Sequence, residues 1–275
     1  MKELTKENYA TNHEYMSYSR FTKFLACEAA GAANYREPDT PSKLVGSYVD
    51  AYFSDEMEEF KQKNPIIFNS KTGELKADFK QADQIITRIK SDEVLMEYLD
   101  GEKQKILTGK IEGVPFKAKL DAFKDGVRIS DLKVMKDFNR VWSDVLNCYT
   151  NFIEAYDYEF EGAIFQELVR QNTGKKLPFY IVAITKEEPA DVGVFELKQE
   201  KLDEALRIVK GYLPRITDIL AGKAAPHRCE KCAYCRGTKK ARVLSSDFVG
   251  YSGDKLREEG IECDDPIHVK EEKNE

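Results

Sequence analysis

Three short runs of alternating apolar residues, separated by tight turn signals, constrain the fold of this chain more than any other feature. The runs are Lys105 to Ile111, Val114 to Phe123 and Val127 to Val134, with Glu112-Gly113 and Lys124-Asp125-Gly126 between them. Alternation of this kind predicts strands, and short connections that contain glycine predict hairpins. We therefore expect an antiparallel, three-stranded meander.

Helical periodicity precedes and follows this meander. The predicted helices are Ser17 to about Tyr35, about Ser42 to Lys61, Lys76 to Leu99, a long stretch after the third strand that ends at Gly174, and Glu200 to Leu220. Two further runs, Phe179 to Thr185 and Val192 to Leu197, are predicted strands. This order favours an α/β core, in which helices flank a central mixed sheet, over a helical bundle or a β-sandwich.

The net charge of -6 is unevenly distributed along the chain. Residues 251 to 275 hold nine acidic and four basic residues, whereas residues 101 to 140 hold ten lysines or arginines against six acidic residues. The local basic excess would suit a phosphate backbone, although a solvated charged hairpin would look the same.

The sequence contains no apolar run of the roughly 20 residues that cross a bilayer, and its start lacks a secretion signal. We expect a soluble, cytoplasmic protein with no role at a membrane.

Two neighbouring strands of the predicted meander carry acidic residues, and one of them also carries a lysine. Asp121 lies in the second run, and Asp131-Leu132-Lys133 lies in the third. Because side chains alternate along a strand, Asp131 and Lys133 project from one face while Leu132 points into the opposite layer. With Asp121 beside them, two carboxylates could bind Mg²⁺ or Mn²⁺, and the ammonium could steady an attacking water or the phosphate charge. The pattern indicates phosphodiester hydrolysis; the simpler interpretation is a solvated sheet face.

The segments around these residues resemble a known nuclease family over roughly residues 15 to 238. The resemblance rests on Met16-Ser17-Tyr18-Ser19-Arg20-Phe21 through Cys27, on Gly46-Ser47-Tyr48-Val49-Asp50, on Asp121, on Asp131-Leu132-Lys133, and on Glu161-Gly162-Ala163-Ile164-Phe165. In this order the segments resemble the RecB-like branch of the PD-(D/E)XK nucleases, and within it the phage RecE-type exodeoxyribonucleases. A restriction-endonuclease-like core is the fold that this resemblance implies.

The resemblance also implies an activity, a metal and partners. It implies an exonuclease that resects double-stranded DNA ends for phage homologous recombination, beside a single-strand annealing recombinase. It implies Mg²⁺ or Mn²⁺ ligands at Asp50, Asp121, Asp131 and the backbone carbonyl of Leu132, and catalytic roles for Asp121, Asp131, Lys133 and Glu161. The sequence does not decide whether the enzyme acts as an exonuclease or an endonuclease. It also leaves open the polarity of digestion and whether the protein forms homo-oligomers.

Three positions depart from the family pattern. Asp50 stands where the family usually has a histidine, and Glu161 and Phe165 stand where it usually has glutamine and tyrosine. The four-residue spacing keeps both side chains on one helix face. These changes support a second hypothesis, a DNA-binding or inhibitory protein that keeps the nuclease fold with weakened catalysis. For Phe165, core packing is the simpler interpretation.

Three closely spaced cysteines indicate a metal site near the C-terminus. Cys229, Cys232 and Cys235 are each separated by two residues, a spacing that in a cytosolic protein favours metal over disulfides. Three thiolates need a fourth ligand to hold zinc or a cubane cluster. Cys27 resembles the upstream cysteine of iron–sulfur RecB-like nucleases, which implies a [4Fe-4S] cluster. Zn²⁺, with His227 as another candidate ligand, and free thiols are the alternatives.

The two remaining cysteines are expected to stand apart from this group. Cys148 is predicted in a helix as a small buried residue, and Cys263 falls in the acidic tail.

Four regions are expected along the chain: a helical N-terminal part over residues 1–100 carrying Cys27 and Gly46 to Asp50, the nuclease core over 101–222, the cysteine-rich segment over 223–240, and an acidic tail over 241–275 that is polar enough for partial disorder.

Overall fold

A five-stranded mixed sheet forms the centre of the fold. The structure is a computed structural model that describes residues 4–143, 148–241 and 243–249. Its strands are β1 (Glu102–Ile111), β2 (Val114–Lys124), β3 (Arg128–Met135), β4 (Val141–Ser143), β5 (Cys148–Thr150), β6 (Phe179–Thr185) and β7 (Val192–Glu196). The sheet order is β1-β2-β3-β6-β7, with β3 parallel to β6 and the other neighbours antiparallel, while β4 and β5 pair with each other. The predicted meander and mixed sheet are confirmed.

Helices precede, connect and follow these strands along the chain. They are α1 (Lys6–Tyr9), α2 (Tyr18–Ala26), α3 (Glu28–Ala32), α4 (Pro41–Phe53), α5 (Met57–Lys63), α6 (Ala77–Lys90), α7 (Glu93–Tyr98), α8 (Phe152–Ala155), α9 (Tyr158–Thr173), α10 (Gln199–Leu220) and α11 (Ala233–Gly237). Two short 3-10 turns, Pro65–Ile67 and Ser246–Phe248, complete the described elements. No described helix combines the length and the apolar character needed to cross a membrane.

Each helix predicted before the sheet is in fact two helices. Cys27 is extended, with φ of -164°, and separates α2 from α3. Asp55, with a positive φ of 59°, lies between α4 and α5. Asp92 starts α7 because its carboxylate accepts hydrogen bonds from the backbone amides of Val94 and Leu95. The breaks were missed because the apolar periodicity continues across them.

The long helix predicted after β3 is wrong in its first part, which is a small hairpin. Strands β4 and β5 occupy this part, followed by α8 and α9. Aromatic and β-branched residues such as Trp142, Tyr149 and Thr150 favour extended chain there. Cys148 begins β5 and is exposed, so its expected position as a buried helical residue is also wrong. The predicted helix end is confirmed, since Gly174 caps α9 with φ of 75°.

The turn between β1 and β2 has the backbone that a two-residue hairpin requires. Glu112 and Gly113 have φ of 47° and 79°, and the flanking residues Ile111 and Val114 pair across the turn. Positive φ at both central residues matches the right-handed twist of the strands, and glycine adopts it without strain. This turn fixes the register of β2, and with it the strand position of Asp121.

Two compact units make up the chain. One contains the residues up to Tyr15 and Pro38–Val209, and the other contains Met16–Glu37 and the chain from Lys210 onward. In the first unit, α4, α6 and α7 bury an apolar core against one face of the sheet, to which Leu132 and Val182 contribute. Helix α9 packs against β1, β2 and β6.

In the second unit, a small cluster unites Cys27, Ala29 and Ala30 with Cys235. Residues 250–275 of the expected acidic tail, which include Cys263, lie outside the described residues.

Candidate active site

The sheet opens between β2 and β3 at the predicted acidic residues. Pairing of these strands reaches from Lys124↔Arg128 to Ala122↔Ser130, whereas β3 pairs with β6 over its whole later course. Asp121 on β2 and Asp131 on β3 are the residues immediately beyond the last ladder pair, and they lie on the two sides of this opening. The Asp121 carboxylate accepts a hydrogen bond of 3.0 Å from the backbone amide of Leu132. The Asp121 side chain thus replaces the backbone carbonyl that would otherwise pair with this amide, and it brings Asp121 close to Asp131.

Lys133 lies between two carboxylates. Its Nζ is 2.6 Å from Asp131 Oδ2 on the same strand and 2.9 Å from Glu161 Oε2 on α9. Nζ also lies 4.8 Å from the centre of the Tyr158 ring, at the start of α9. Only 19% of the lysine side chain is exposed, compared with 5% and 9% for the two acids. Such burial strengthens these charge interactions and excludes bulk water.

Asp50 joins this group through a residue of β1. Gln104 Nε2 lies 3.4 Å from Asp50 Oδ1 and 3.4 Å from Asp121 Oδ1, so one amide bridges a helix and a strand. Gln104 is buried and has φ of 51°, in the left-handed region that a non-glycine residue seldom adopts. Backbone strain of this kind concentrates at functional sites.

The acids at this site have pKa values above their ordinary range. Burial, followed by the charge of Asp131, raises the pKa of Asp121 to about 7, and burial, followed by the charge of Glu161, raises the pKa of Asp131 to about 7. Burial and the charge of Asp121 raise the pKa of Asp50 to about 7. Burial alone would lower the pKa of Lys133, but Asp131 and Glu161 raise it well above its ordinary value. The lysine is therefore protonated beside an excess of acids.

The donors at this site fit a divalent cation. The carboxylates of Asp50, Asp121 and Asp131 offer oxygen ligands, and a cation would relieve the mutual repulsion that raises their pKa values. Gln104 Oε1 is buried and accepts no hydrogen bond within the described chain. Oxygen donors of this kind suit Mg²⁺ and Mn²⁺. Ligation by the Leu132 carbonyl stays a prediction.

Tyr9, near the N-terminus, is also held beside the acids. Lys117 is buried and donates hydrogen bonds to the backbone carbonyls of Tyr9 and, at 2.7 Å, of Asn12. The Lys117 ammonium lies 4.6 Å from the centre of the Tyr9 ring. Burial, with the charges of Glu161 and Asp121, raises the pKa of the Tyr9 hydroxyl. This hydroxyl therefore stays protonated as a hydrogen-bond donor.

Sequence reasoning missed Gln104, Tyr9 and Tyr158. Tyr158 precedes Glu161 by three residues on one helix face, a spacing that could have revealed it. Gln104 offered only a weak signal, because it is a polar residue just before the predicted run that begins at Lys105. Tyr9 offered none because it lies far from the core in sequence. Phe165 is buried and packs against Phe179 with ring centres 6.2 Å apart, as its core-packing interpretation expects.

The four predicted cysteines form one group in the second unit. The sulfurs of Cys27, Cys229, Cys232 and Cys235 all lie within 4.8 Å of one another. Cys27 Sγ lies 3.5 Å from Cys235 Sγ, and Cys229 Sγ lies 3.9 Å from Cys235 Sγ, so these are free thiols in contact. Burial alone would raise the pKa of Cys229, but backbone amides, above all that of Cys232, lower it to about 7. Four thiol sulfurs at these separations suit a metal ion.

The surroundings of this cysteine group hold it in place. The Glu28 carboxylate, next to Cys27, accepts two hydrogen bonds of 3.0 and 2.8 Å from the Arg215 guanidinium and one of 2.7 Å from the backbone amide of His227. On the other side, buried Arg228 donates a hydrogen bond of 2.8 Å to the Cys235 carbonyl. These contacts fix the two chain segments that supply the thiols.

Comparisons with known proteins agree with this architecture. Residues 17–238 match the family described as a PDDEXK-like domain of unknown function, DUF3799. A crystal structure described as a "Putative exonuclease" from Eubacterium rectale is 40% identical, with a TM-score of 0.86 over 92% of this chain and 100% of that chain. The expected nuclease fold class is confirmed by this likeness. No curated protein matches the chain. Since the family match covers most of its length, the chain belongs to the PDDEXK-like DUF3799 family.

Proposed function

We propose that this protein is a metal-dependent deoxyribonuclease that digests double-stranded DNA from its ends. The observation that carries the proposal is the position of Lys133, 2.6 Å from Asp131 and beside Asp121 at the opening of the sheet. Support comes from the 40% identity to a protein described as a "Putative exonuclease". By the resemblance noted above, we further propose a role in phage homologous recombination, in the cytoplasm, beside a single-strand annealing recombinase.

Different residues of the site would have different roles in hydrolysis. Asp121 and Asp131 would hold a divalent ion, with Asp50 as a further carboxylate. Such an ion supplies positive charge against the scissile phosphate and a more acidic water. Lys133 keeps its proton and can stabilise the charge that develops on the phosphate oxygens. Glu161 fixes the ammonium through an ion pair of 2.9 Å, and burial raises its pKa so that it can take up a proton near the attacking water.

The ion pair between Lys133 and Glu161 also supports a second candidate function. A glutamate at this position partly neutralises the lysine, which would weaken its attraction for phosphate. A protein of this kind could bind DNA ends without digesting them, as a DNA-binding or inhibitory protein. Digestion and binding must therefore be measured separately.

For the cysteine group we propose a bound metal that joins Cys27 to the segment from Cys229 to Cys235. A [4Fe-4S] cluster follows from the family resemblance, and Zn²⁺ is the alternative. Four thiolates at about 2.3 Å from one zinc ion lie about 3.8 Å apart, close to the observed 3.5 and 3.9 Å. These two separations fit zinc, and the metal content of the purified protein distinguishes zinc from a cluster.

The proposed activity can be tested with end-labelled linear and closed circular duplex DNA, with and without Mg²⁺ or Mn²⁺. An exonuclease should digest the linear duplex, spare the closed circle and require the metal. Asp131→Asn should abolish digestion, because it removes an anionic ligand without changing the side-chain volume. Asp125→Asn, in the exposed turn between β2 and β3, is the matched control and should digest normally.

Three outcomes of this assay can be told apart. Digestion of closed circles would show endonuclease action. DNA retention in a gel-shift assay without digestion by the wild type would favour the binding protein. Normal digestion by Asp131→Asn would mean that the catalytic site lies elsewhere.

A further inference from the structure

The hairpin formed by β4 and β5 presents a pair of exposed aromatic side chains. Trp142 and Tyr149 are direct register partners across the two strands, with ring centres 5.3 Å apart and planes at 74°. Exposure is 47% for Trp142 and 61% for Tyr149. Large aromatic rings that remain half in solvent, paired on a small sheet, have the composition of a binding surface rather than of a core.

The base of this hairpin is anchored by a buried aromatic cluster. Phe152 follows β5, is buried, and stacks on Phe138 with ring centres 5.5 Å apart and planes at 22°. Phe195 of β7 packs against both rings, at 5.4 Å from Phe152 and 5.6 Å from Phe138. The chain segments on both sides of this strand pair therefore pack against β7 of the central sheet.

The same cluster connects the hairpin to the candidate active site. The ring of Phe152 lies 6.5 Å from that of Tyr158, and Tyr158 in turn lies under the Lys133 ammonium at 4.8 Å. Tyr156, which is 45% exposed, lies 5.9 Å from Tyr158. Aromatic rings thus continue from the catalytic lysine to the surface.

We propose that Trp142 and Tyr149 form a stacking platform for unpaired nucleobases of the DNA strand that enters or leaves the site. The inference rests on the proposed nuclease function and deepens it by assigning a contact for single-stranded DNA. Aromatic side chains suit this role because every base has a π face, so stacking tolerates any sequence.

The chain segment that leads into the platform carries two exposed basic side chains, which fit a nucleic acid partner. Lys136 and Arg140, both exposed, lie in the segment that leads from β3 into β4. The Lys136 side chain is 93% exposed, and its ammonium lies 3.5 Å from the Asp137 carboxylate in a surface ion pair that a phosphate group could replace. Aromatic rings next to basic side chains are the combination that binds the bases and backbone of single strands.

Trp142 supplies the probe for this proposal because the chain contains one tryptophan. The full chain carrying Asp131→Asn, which should not digest DNA, is titrated with oligothymidine while tryptophan emission is recorded. An oligonucleotide of the same length with abasic sites throughout is the comparison. We expect saturable quenching by oligothymidine and none by the abasic strand, because stacking on a base, not contact with phosphate, changes the emission of Trp142.

A matched pair of tyrosine variants separates stacking from general surface effects. Tyr149→Ala should weaken oligothymidine binding by about tenfold, as loss of one stacked base does. Tyr212→Ala removes a tyrosine of similar exposure, 49%, from α10 and should leave binding unchanged. Both dissociation constants are measured by anisotropy of dye-labelled DNA.

Other outcomes would overturn the platform. DNA binding seen by anisotropy without a change in Trp142 emission, or equal quenching by the abasic strand, would exclude base stacking while leaving the nuclease proposal intact. Equal quenching by a blunt duplex would exclude a preference for unpaired bases. Failure of any DNA to bind would overturn the platform and the proposed function together.

Discussion

The carboxylate of Asp121 accepts a hydrogen bond of 3.0 Å from the backbone amide of Leu132. This contact joins β2 to β3 just beyond their last ladder pair, Ala122↔Ser130. An amide that would otherwise lose its partner in a buried place is thereby satisfied. The same contact holds the Asp121 carboxylate next to the residues that flank Leu132. Substitutions of Asp131 or Lys133 leave this contact in place, so they should change the chemistry of the site without unfolding the sheet.

Lys133→Ala should reduce DNA digestion by roughly 10²- to 10³-fold, because it removes a positive group that stabilises developing charge. DNA affinity should fall little, since many phosphate contacts share the binding energy. Single-turnover digestion and gel-shift assays measure the two effects. Lys71→Ala is the matched control, because this lysine is exposed in the turn that precedes α6. Equal activity in Lys133→Ala and wild type would remove the lysine from the mechanism.

Gln104→Leu should weaken Mg²⁺ binding by about tenfold, as loss of a group that orients metal ligands commonly does. The substitution keeps the side-chain volume but removes the amide that lies between Asp50 and Asp121. Isothermal titration calorimetry on the DNA-free protein gives the affinity directly. An unchanged Mg²⁺ affinity in a folded variant would show that the Gln104 amide packs in the site without orienting the metal ligands.

The metal-free protein should lose stability as pH rises through the range from about 4 to about 7. Burial raises the pKa of Asp121 and Asp131 from 3.8 to about 7, so in this range the folded state holds protons that the unfolded chain has released. Above about pH 7 both must be ionised in a buried site, and this cost is then complete. Mn²⁺ should offset it.

Melting temperatures measured at about pH 5 and about pH 8, with and without Mn²⁺, test this prediction. Asp131→Asn should lose less stability with rising pH than wild type and should gain less from Mn²⁺. Asp125→Asn should follow wild type, since its carboxylate is exposed. Parallel curves for wild type and Asp131→Asn would show that these acids do not control the pH dependence.

Cys232→Ser should release the metal of the cysteine group and lower the melting temperature, because structural metal binding contributes directly to folding. Protein purified without oxygen should be analysed for iron, sulfide and zinc. A brown protein would indicate an iron–sulfur cluster, and a colourless one with stoichiometric zinc would indicate the alternative. Cys148→Ser is the control, because Cys148 is exposed and lies outside the group. If wild-type protein purified in this way contains neither iron nor zinc, the proposed metal site at the cysteine group is wrong.

The five strands of the central sheet, the tight turns between them and the identity of the acid–lysine pair are predictable from sequence alone. Alternation, the Glu112-Gly113 turn and the Gly174 cap depend on residues close together in the chain, so local patterns encode them. Predictions from local patterns fail where the pattern is ambiguous. At Cys27 a break interrupts a continuous helical periodicity, and at Cys148 the sequence predicts a helix where the structure has a short strand.

Which distant side chains meet depends on tertiary packing. Gln104 bridges to Asp50, 54 residues away, and Cys27 contacts Cys235, 208 residues away. Glu161 reaches Lys133 because α9 packs on the sheet. Likewise, the base of the exposed Trp142 hairpin is held by Phe195, from a strand far along the chain. These contacts depend on how whole elements pack, and the hydrophobic burial that packs them is non-directional, so local periodicity carries no record of the final distances.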